Sequence, residues 1–143
     1  MKLLLTGGAG FSGSHFADHI MDQTNWDLIV LDALTYAGTL ANLSRIIDDP
    51  DRSKRFTFIR HDFSKPLGTE ILDICDGVDY IVHLGAETHV RNSLENPEPF
   101  IKSNIVGTWN MLEAAVVLKR RAEEIRILVR EPDVIDLSDC EVA

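Results

Sequence analysis

Residues 2–13 read Lys2-Leu3-Leu4-Leu5-Thr6-Gly7-Gly8-Ala9-Gly10-Phe11-Ser12-Gly13, a short apolar run that passes into glycines at positions 7, 10 and 13. The run has the length of a β-strand, and the residues after it carry helical spacing, so the glycines stand where a strand hands over to a helix. At such a junction each glycine has its own physical reason. The first permits a tight turn, the second lets backbone approach a pyrophosphate closely, and the third lets helix and strand pack together. The N-terminus of the helix then offers free N–H groups and a partial positive charge to phosphates. Gly7, Gly10 and Gly13 are therefore candidate binding residues for a dinucleotide.

The same rhythm repeats outward from this segment. Apolar runs at Lys2 to Thr6, Leu28 to Asp32, Phe56 to Arg60, Tyr80 to Leu84 and Ile125 to Val129 each read as a strand buried on both faces. Helical spacing occupies about 13–24, 39–48, 68–76 and 97–118 between them. Strands alternating with helices predict an α/β fold, a Rossmann-type doubly wound parallel sheet of about five strands. In the last helix Phe100, Ile101, Asn104, Ile105, Thr108, Leu112 and Ala115 form one stripe, expected to lie on the sheet. Asn96-Pro97 suits its start, as cap and first helical residue.

Asp32 ends the second run, 22 residues after Gly10. A carboxylate there accepts hydrogen bonds from the ribose hydroxyls of the adenosine half and repels a 2′-phosphate, which favours NAD over NADP. A helix cap is the alternative role. Asp62 ends the third run, where it either meets an adenine amino group or caps a loop. The fourth run ends in His83-Leu84-Gly85-Ala86-Glu87-Thr88, whose small residues leave room for the nicotinamide half. His83 itself reads as a packed core histidine. His15 and His19, four apart with no third ligand in view, read as a solvated helix face and not a metal site. Trp26, Trp109 and Met111 read as packing residues.

The 143 residues carry a formal net charge of -9, which argues against nucleic-acid or anionic membrane surfaces. Cys75 and Cys140 lack any paired spacing, and the first apolar run is too short for a signal segment or a membrane span, so a cytoplasmic setting is expected. Residues 1–118 are expected to be the cofactor-binding half-domain, and 119–143 a fifth strand followed by a divergent acidic tail. Glu131 to Ala143 holds five acids and no base, and Pro132 is expected to stop regular structure there.

Thr6 to Gly13, Asp32-Ala-Leu-Thr-Tyr-Ala-Gly38 with Asn42-Leu43, His83-Leu-Gly-Ala-Glu-Thr-His-Val90, and Pro97 through Asn104-Ile-Val-Gly-Thr108 to Ala114 occur in order. Together they resemble the extended short-chain dehydrogenases, within the NAD-dependent epimerase/dehydratase family, and most closely the dTDP-glucose 4,6-dehydratases. The resemblance implies that NAD takes a hydride from C4 of a nucleotide sugar, that water leaves across C5 and C6, and that the hydride returns at C6. It implies cofactor contacts at Phe11, Ser12, Asp32, Ala33, Leu34, Thr35, Asp62, Phe63 and Ser103, and along 84–88 at Leu84, Gly85, Ala86 and Thr88. Thr88 is also expected to approach the sugar. Three residues depart from the pattern: Ser12 and Gly85 replace an apolar residue and an alanine, and Arg91 stands where an acid is usual.

The family's Ser-Thr-Asp-Glu-Val-Tyr-Gly segment, its Tyr-x-x-x-Lys pair and its sugar-nucleotide domain have no counterpart in these residues. Tyr36 and Tyr80 are followed four places on by Leu40 and Leu84, so no lysine is placed to lower a tyrosine pKa. No catalytic residue is assigned. The expected role is the NAD-binding part of a nucleotide-sugar 4,6-dehydratase, inactive alone. The alternatives are a non-catalytic cofactor-binding or interaction module, an enzyme completed in trans, and within the family a UDP-sugar 4-epimerase. Half of the family's dimer surface is absent, so a homodimer is not expected.

Overall fold

A computed structural model describes residues 1–119, 126–129 and 134–135. The remaining C-terminal residues, with Cys140 and most of the acidic segment, lie outside it. The chain begins with β1 (Lys2–Thr6), α1 (Phe11–Gln23) and β2 (Asp27–Asp32). A single-turn 3-10 helix, Leu40–Leu43, leads into the short α2 (Ser44–Ile47), followed by β3 (Phe56–Arg60), α3 (Thr69–Ile74) and β4 (Tyr80–His83). Next come α4 (Val90–Glu95), α5 (Glu98–Phe100), a π-helical segment Ile101–Gly107 and α6 (Thr108–Lys119). Two further strands are β5 (Arg126–Val129) and β6 (Val134–Ile135).

The sheet order is β3-β2-β1-β4-β5-β6. All neighbours run parallel except β6, which is antiparallel to β5. The chain moves from β1 outward to β3, then returns to the other side of β1 with β4. That reversal makes the carboxyl ends of β1 and β4 the topological switch point, where open α/β sheets bind ligands.

Alternation along the strands divides the core into two layers. Leu3, Leu5, Leu28, Val30 and Val82 pack with Ala17, Ile20 and Met21 of α1 and with Leu43 and Ile46. Leu4, Ile29, Leu31 and Ile81 face the opposite way, onto Leu72 of α3 and Met111, Ala114, Ala115 and Leu118 of α6. The central strands are covered on both faces, and each fully buried leucine contributes about 2 kcal/mol before entropy is counted. β3 departs from the expectation: none of its residues is fully buried, because it is the sheet's edge strand. Two cations close helix ends from a distance. Lys2 Nζ donates to the carbonyls of Ile74 and Asp76 at the end of α3, and Arg55 to those of Met21, Thr24 and Trp26 at the end of α1.

The last long helix corrects the sequence reading most. Asn96 Oδ1 accepts from the Glu98 N–H at 3.3 Å, but the cap position of α5 is Pro97, and Asn96 itself ends α4. The π-helical segment then inserts extra residues per turn and rotates everything after it. The face on the sheet is Gly107, Asn110, Met111, Ala114, Ala115 and Leu118. Of the expected stripe, Ile101 and Ile105 are exposed, and Trp109, expected to pack, is exposed as well. Met111 is buried as expected, and Trp26 stacks on Tyr80 with ring centroids 5.1 Å apart. Helix α4 was not foreseen. β6 follows Pro132 despite the expected stop, because proline withholds only its own N–H and Val134 and Ile135 keep theirs for pairing with β5.

The π-helical segment also brings Gly107 against Phe63, so that a Cβ built on Gly107 meets the Phe63 ring at 2.6 Å. Gly107→Ala is expected to lower stability in urea unfolding by about 1–2 kcal/mol, overpacking outweighing the helix-propensity gain of roughly 1 kcal/mol. In a Phe63→Leu background the same substitution is expected to be neutral or stabilising. Equal effects in both backgrounds would show that the ring is not the obstacle.

Candidate functional site

A cleft of about 500 Å³ opens at the carboxyl ends of β2, β1 and β4. This is within the usual size of small-molecule sites. Its floor is the glycine loop. Gly7 has a φ of +69°, its N–H bonds to Leu31 O at 3.0 Å, and its carbonyl accepts from Gly10 N at 3.2 Å. A Cβ on Gly13 would lie 2.1 Å from that same carbonyl, so only glycine lets α1 start this close to the turn. α1 begins after Gly10 with no side-chain cap and no acid in its first turn. Its first N–H groups are therefore directed at the cleft without a built-in anion to satisfy them.

Asp32, 7% exposed, ties the loops together. Its Oδ2 accepts from Ala9 N of the glycine loop at 2.9 Å and its Oδ1 from Leu34 N at 2.8 Å. It is a loop-to-loop tie and not a helix cap, and it still lines the cleft. Each carboxylate oxygen keeps a further lone pair for a ligand hydroxyl. Ala33 and Thr35 line the cleft beside it. Leu34 is not among the lining residues: at φ 54° it turns its side chain into the α1 side of the core.

Of the other expected residues, Phe11, Ser12, Asp62, Phe63, Leu84, Gly85, Ala86, Thr88 and Ser103 all line the same cleft as Gly7, Gly10 and Gly13. Phe11 is 79% exposed, whereas Phe63 is buried, its ring against Gly85 and Gly107. Asp62 Oδ1 accepts from Ser64 N at 3.0 Å, the loop-cap geometry, while its carboxylate also borders the cleft. Arg91 is not among the lining residues and pairs with Glu95 on the exposed face of α4. Sequence reasoning passed over Ala37, Gly38, Ser64, Pro99 and Lys102, which also line the cleft. Lys102 was findable as a cation on the turn that carries Ser103, and it pairs with Glu98 at 2.6 Å. Glu98 is held below and Lys102 above their ordinary pKa values, each chiefly by that hydrogen bond.

Gly85, which departs from the family's alanine, has a reason in this chain. A Cβ there would meet the Phe63 ring at 2.4 Å, and one on Gly7 would meet Gly85 Cα at 2.6 Å. The ring fills the space an alanine methyl would need. Two asparagines of the long helix hold this wall in place: Asn110 Nδ2 donates to Phe63 O at 3.0 Å, and Asn104 brackets Glu87, accepting from its N–H at 2.8 Å and donating to its carbonyl at 2.9 Å. Asparagine is a poor helix former, and two of them inside a helix were the available signal.

His83 is packed as expected, 5% exposed, with Nδ1 2.6 Å from Thr6 Oγ1, Nε2 3.2 Å from Thr108 Oγ1 and the Phe63 ring set edge-on. Burial pushes its pKa down to about 4. His15 and His19 are exposed, and no cluster that would hold a metal occurs among the described residues. Nor is any described helix long and apolar enough to cross a membrane.

A family model described as GDP-mannose 4,6 dehydratase matches residues 4–129. The chain is 43% identical over 115 residues to a dTDP-glucose 4,6-dehydratase of Escherichia coli, covering 80% of this chain and 31% of that protein. It therefore spans about a third of the length of the curated relatives it matches. Among solved structures it is similar to DesIV, a dTDP-glucose 4,6-dehydratase from Streptomyces venezuelae with NAD and TYD bound. That match has a TM-score of 0.72 and 40% identity over 82% of this chain and 36% of that one. A UDP-Glc/GlcNAc 4-epimerase from Campylobacter jejuni matches with a TM-score of 0.68 and 28% identity, over 82% and 34%.

Because the neutral His83 is the buried form, its contribution to stability is complete above the unfolded pKa near 6.5 and is lost as pH falls toward about 4. Urea unfolding of wild type and His83→Gln at pH 7, 5.5 and 4.5 measures this. The wild type is expected to lose on the order of 3 kcal/mol more than the variant by the lower end of that window, at about 1.4 kcal/mol per pH unit. Parallel pH curves would place the titration elsewhere.

Proposed function

The chain belongs to the GDP-mannose 4,6 dehydratase family, and on that premise we propose that it is the NAD-binding part of a nucleotide-sugar 4,6-dehydratase of the dTDP-glucose kind. The observation that carries this reading is the convergence, in one cleft at the switch point, of an uncapped helix N-terminus behind a glycine turn with Asp32 at the end of β2. The fit to NAD is chemical. Backbone N–H groups at Phe11 and Ser12 suit the pyrophosphate, and the lone pairs left on Asp32 suit the two ribose hydroxyls. The same carboxylate repels a 2′-phosphate. Asp62 and Ser64 border the space beside β3, which suits an adenine edge, and Gly85, Ala86 and Thr88 line the β4 side, which suits the nicotinamide half and then the sugar.

Bound NAD supplies a hydride acceptor and donor. The work of these residues is to hold the dinucleotide extended across β1 and to keep the β4 end narrow enough for one orientation. Tyr36 and Tyr80 are not followed by a lysine four places on, so these 143 residues carry no proton-transfer pair and are inactive alone. Greater identity to the dehydratases than to the epimerase supports the dehydratase branch. A second reading, completion by a separate polypeptide, is favoured by the exposed apolar row Ile101, Ile105 and Trp109 on the long helix. A free, buried Cys75 thiol, pushed up to about 11 by burial, suits a reducing cytoplasm.

Calorimetric titration with NAD and NADP tests the reading. Saturable binding is expected for NAD and at least tenfold weaker binding for NADP. Asp32→Asn is expected to weaken NAD by about tenfold or more, through loss of one charged acceptor, and to lower the thermal midpoint because the amide keeps one acceptor oxygen for the two N–H groups of Ala9 and Leu34. A folded sample that takes up neither dinucleotide would rule the cofactor reading out.

A further inference from the structure

The loop after β4 rests on two anchors from different elements, and both are polar. Thr6, at the end of β1, accepts the Leu84 N–H on its carbonyl at 3.2 Å and the Gly85 N–H on its hydroxyl at 3.3 Å. Asn104, in the π-helical segment, holds the Glu87 backbone through both its N–H and its carbonyl. His83 lies between these anchors. Its Nδ1 is 2.6 Å from Thr6 Oγ1 and its Nε2 is 3.2 Å from Thr108 Oγ1, and Thr108 Oγ1 in turn donates to the Asn104 carbonyl at 2.8 Å. Thr6 and His83 are buried, so each depends on protein partners.

These contacts leave one arrangement of protons. A carbonyl only accepts, so the single hydroxyl proton of Thr108 goes to Asn104, and Thr108 Oγ1 meets His83 Nε2 as an acceptor. The ring is neutral, since burial holds its pKa down to about 4, and its one N–H is therefore at Nε2. Nδ1 is bare and accepts the hydroxyl proton of Thr6, whose oxygen keeps a lone pair for the Gly85 N–H. The opposite tautomer would leave Nε2 without a donor and the Thr6 proton without an acceptor in this chain of bonds. The four bonds from Gly85 through Thr6, His83 and Thr108 to Asn104 thus all point one way, and bonds aligned like this strengthen one another.

From this geometry we propose that Thr6, the Nε2–H tautomer of His83, Thr108 and Asn104 form a one-way brace that sets where the loop after β4 stands, and so positions the nicotinamide half of a bound dinucleotide. The proposal rests on the NAD reading above. Gly85, Ala86, Glu87 and Thr88 line the cleft, whereas none of the four brace residues is among its lining residues, so the brace acts through that loop. Its members are positioning residues: they hold the wall, not the reacting atoms. Asp32 and Asp62, which suit the adenosine half, take their hydrogen bonds from Ala9, Leu34 and Ser64, outside the brace. The brace therefore bears on one half of the ligand.

Two measurements on the full chain test the brace. Nuclear magnetic resonance of the imidazole nitrogens in the ligand-free protein at neutral pH, with the His83 signals assigned by their absence from His83→Gln, is expected to show a proton on Nε2 and none on Nδ1. Calorimetric titration with NAD, and with ADP, which ends at the pyrophosphate, then compares wild type with Thr108→Val and Thr108→Ser. Thr108→Val keeps the shape and removes the hydroxyl, and is expected to weaken NAD about fivefold, the worth of one hydrogen bond, while ADP stays within about twofold of wild type. Thr108→Ser restores the hydroxyl and is expected to return NAD to the wild-type value. A proton on Nδ1 in the wild type overturns the one-way brace. Equal losses of NAD and ADP in Thr108→Val mean a general loosening of the fold and overturn the positioning role, as does no loss of either; both leave the cofactor reading standing. Folded wild type that binds neither ligand overturns the cofactor reading and, with it, the positioning role.

Discussion

The structure depends on how closely three stretches of backbone approach one another around Gly7. A Cβ on Gly13 would stand 2.1 Å from the Gly7 carbonyl, and one on Gly7 would stand 2.6 Å from Gly85 Cα. Main chain packs against main chain at the end of β1, and β1 cannot move away without unmaking its parallel pairings with β2 and β4. Because the turn carries no side chains there, its space is open for a ligand and the N-terminus of α1 faces into it. The same contact that packs the fold therefore shapes the site.

Around that point the chain spends polar groups on alignment. Asp32 holds the glycine loop and the loop after β2, Thr6 and His83 join the ends of β1 and β4, and Asn104 and Asn110 fasten the loop after β4 and the Phe63 segment to the long helix. Asp32, Thr6, His83 and Asn110 are buried and each has a partner on another element, which makes the cleft walls cooperative. Asp32 shows the consequence: a carboxylate suited to a ribose is also a structural tie, so binding and stability cannot be varied independently at that residue.

The glycine turn, Asp32 and the end of β4 were legible because spacing along the chain decides them. The lining residues named from the sequence gather in one cleft, apart from Leu34, whose positive φ turns its side chain inward. Ser64 and Pro99 were not legible as cleft residues, because they reach it only through the path of the loop after β3 and the turn of α5. The stripe on the long helix failed for a related reason. Apolar residues lie all around that helix, so spacing alone leaves its face undecided, and the π-helical segment rotates Ile105 and Trp109 outward and Gly107 and Met111 inward.

By itself the sequence determined the alternation of the five parallel strands with helices, the turn at Gly7 to Gly13 and the carboxylate at the end of β2, because these follow from periodicity and from residues whose backbone or charge has one use at one position. Only the tertiary structure decided that β3 is an edge, that Gly85 makes room for the Phe63 ring, and that Asn104 of the long helix clamps the backbone of Glu87. Each of those depends on which elements lie side by side. That is set by long-range pairing and by the register of one helix, quantities that no local pattern of residues contains.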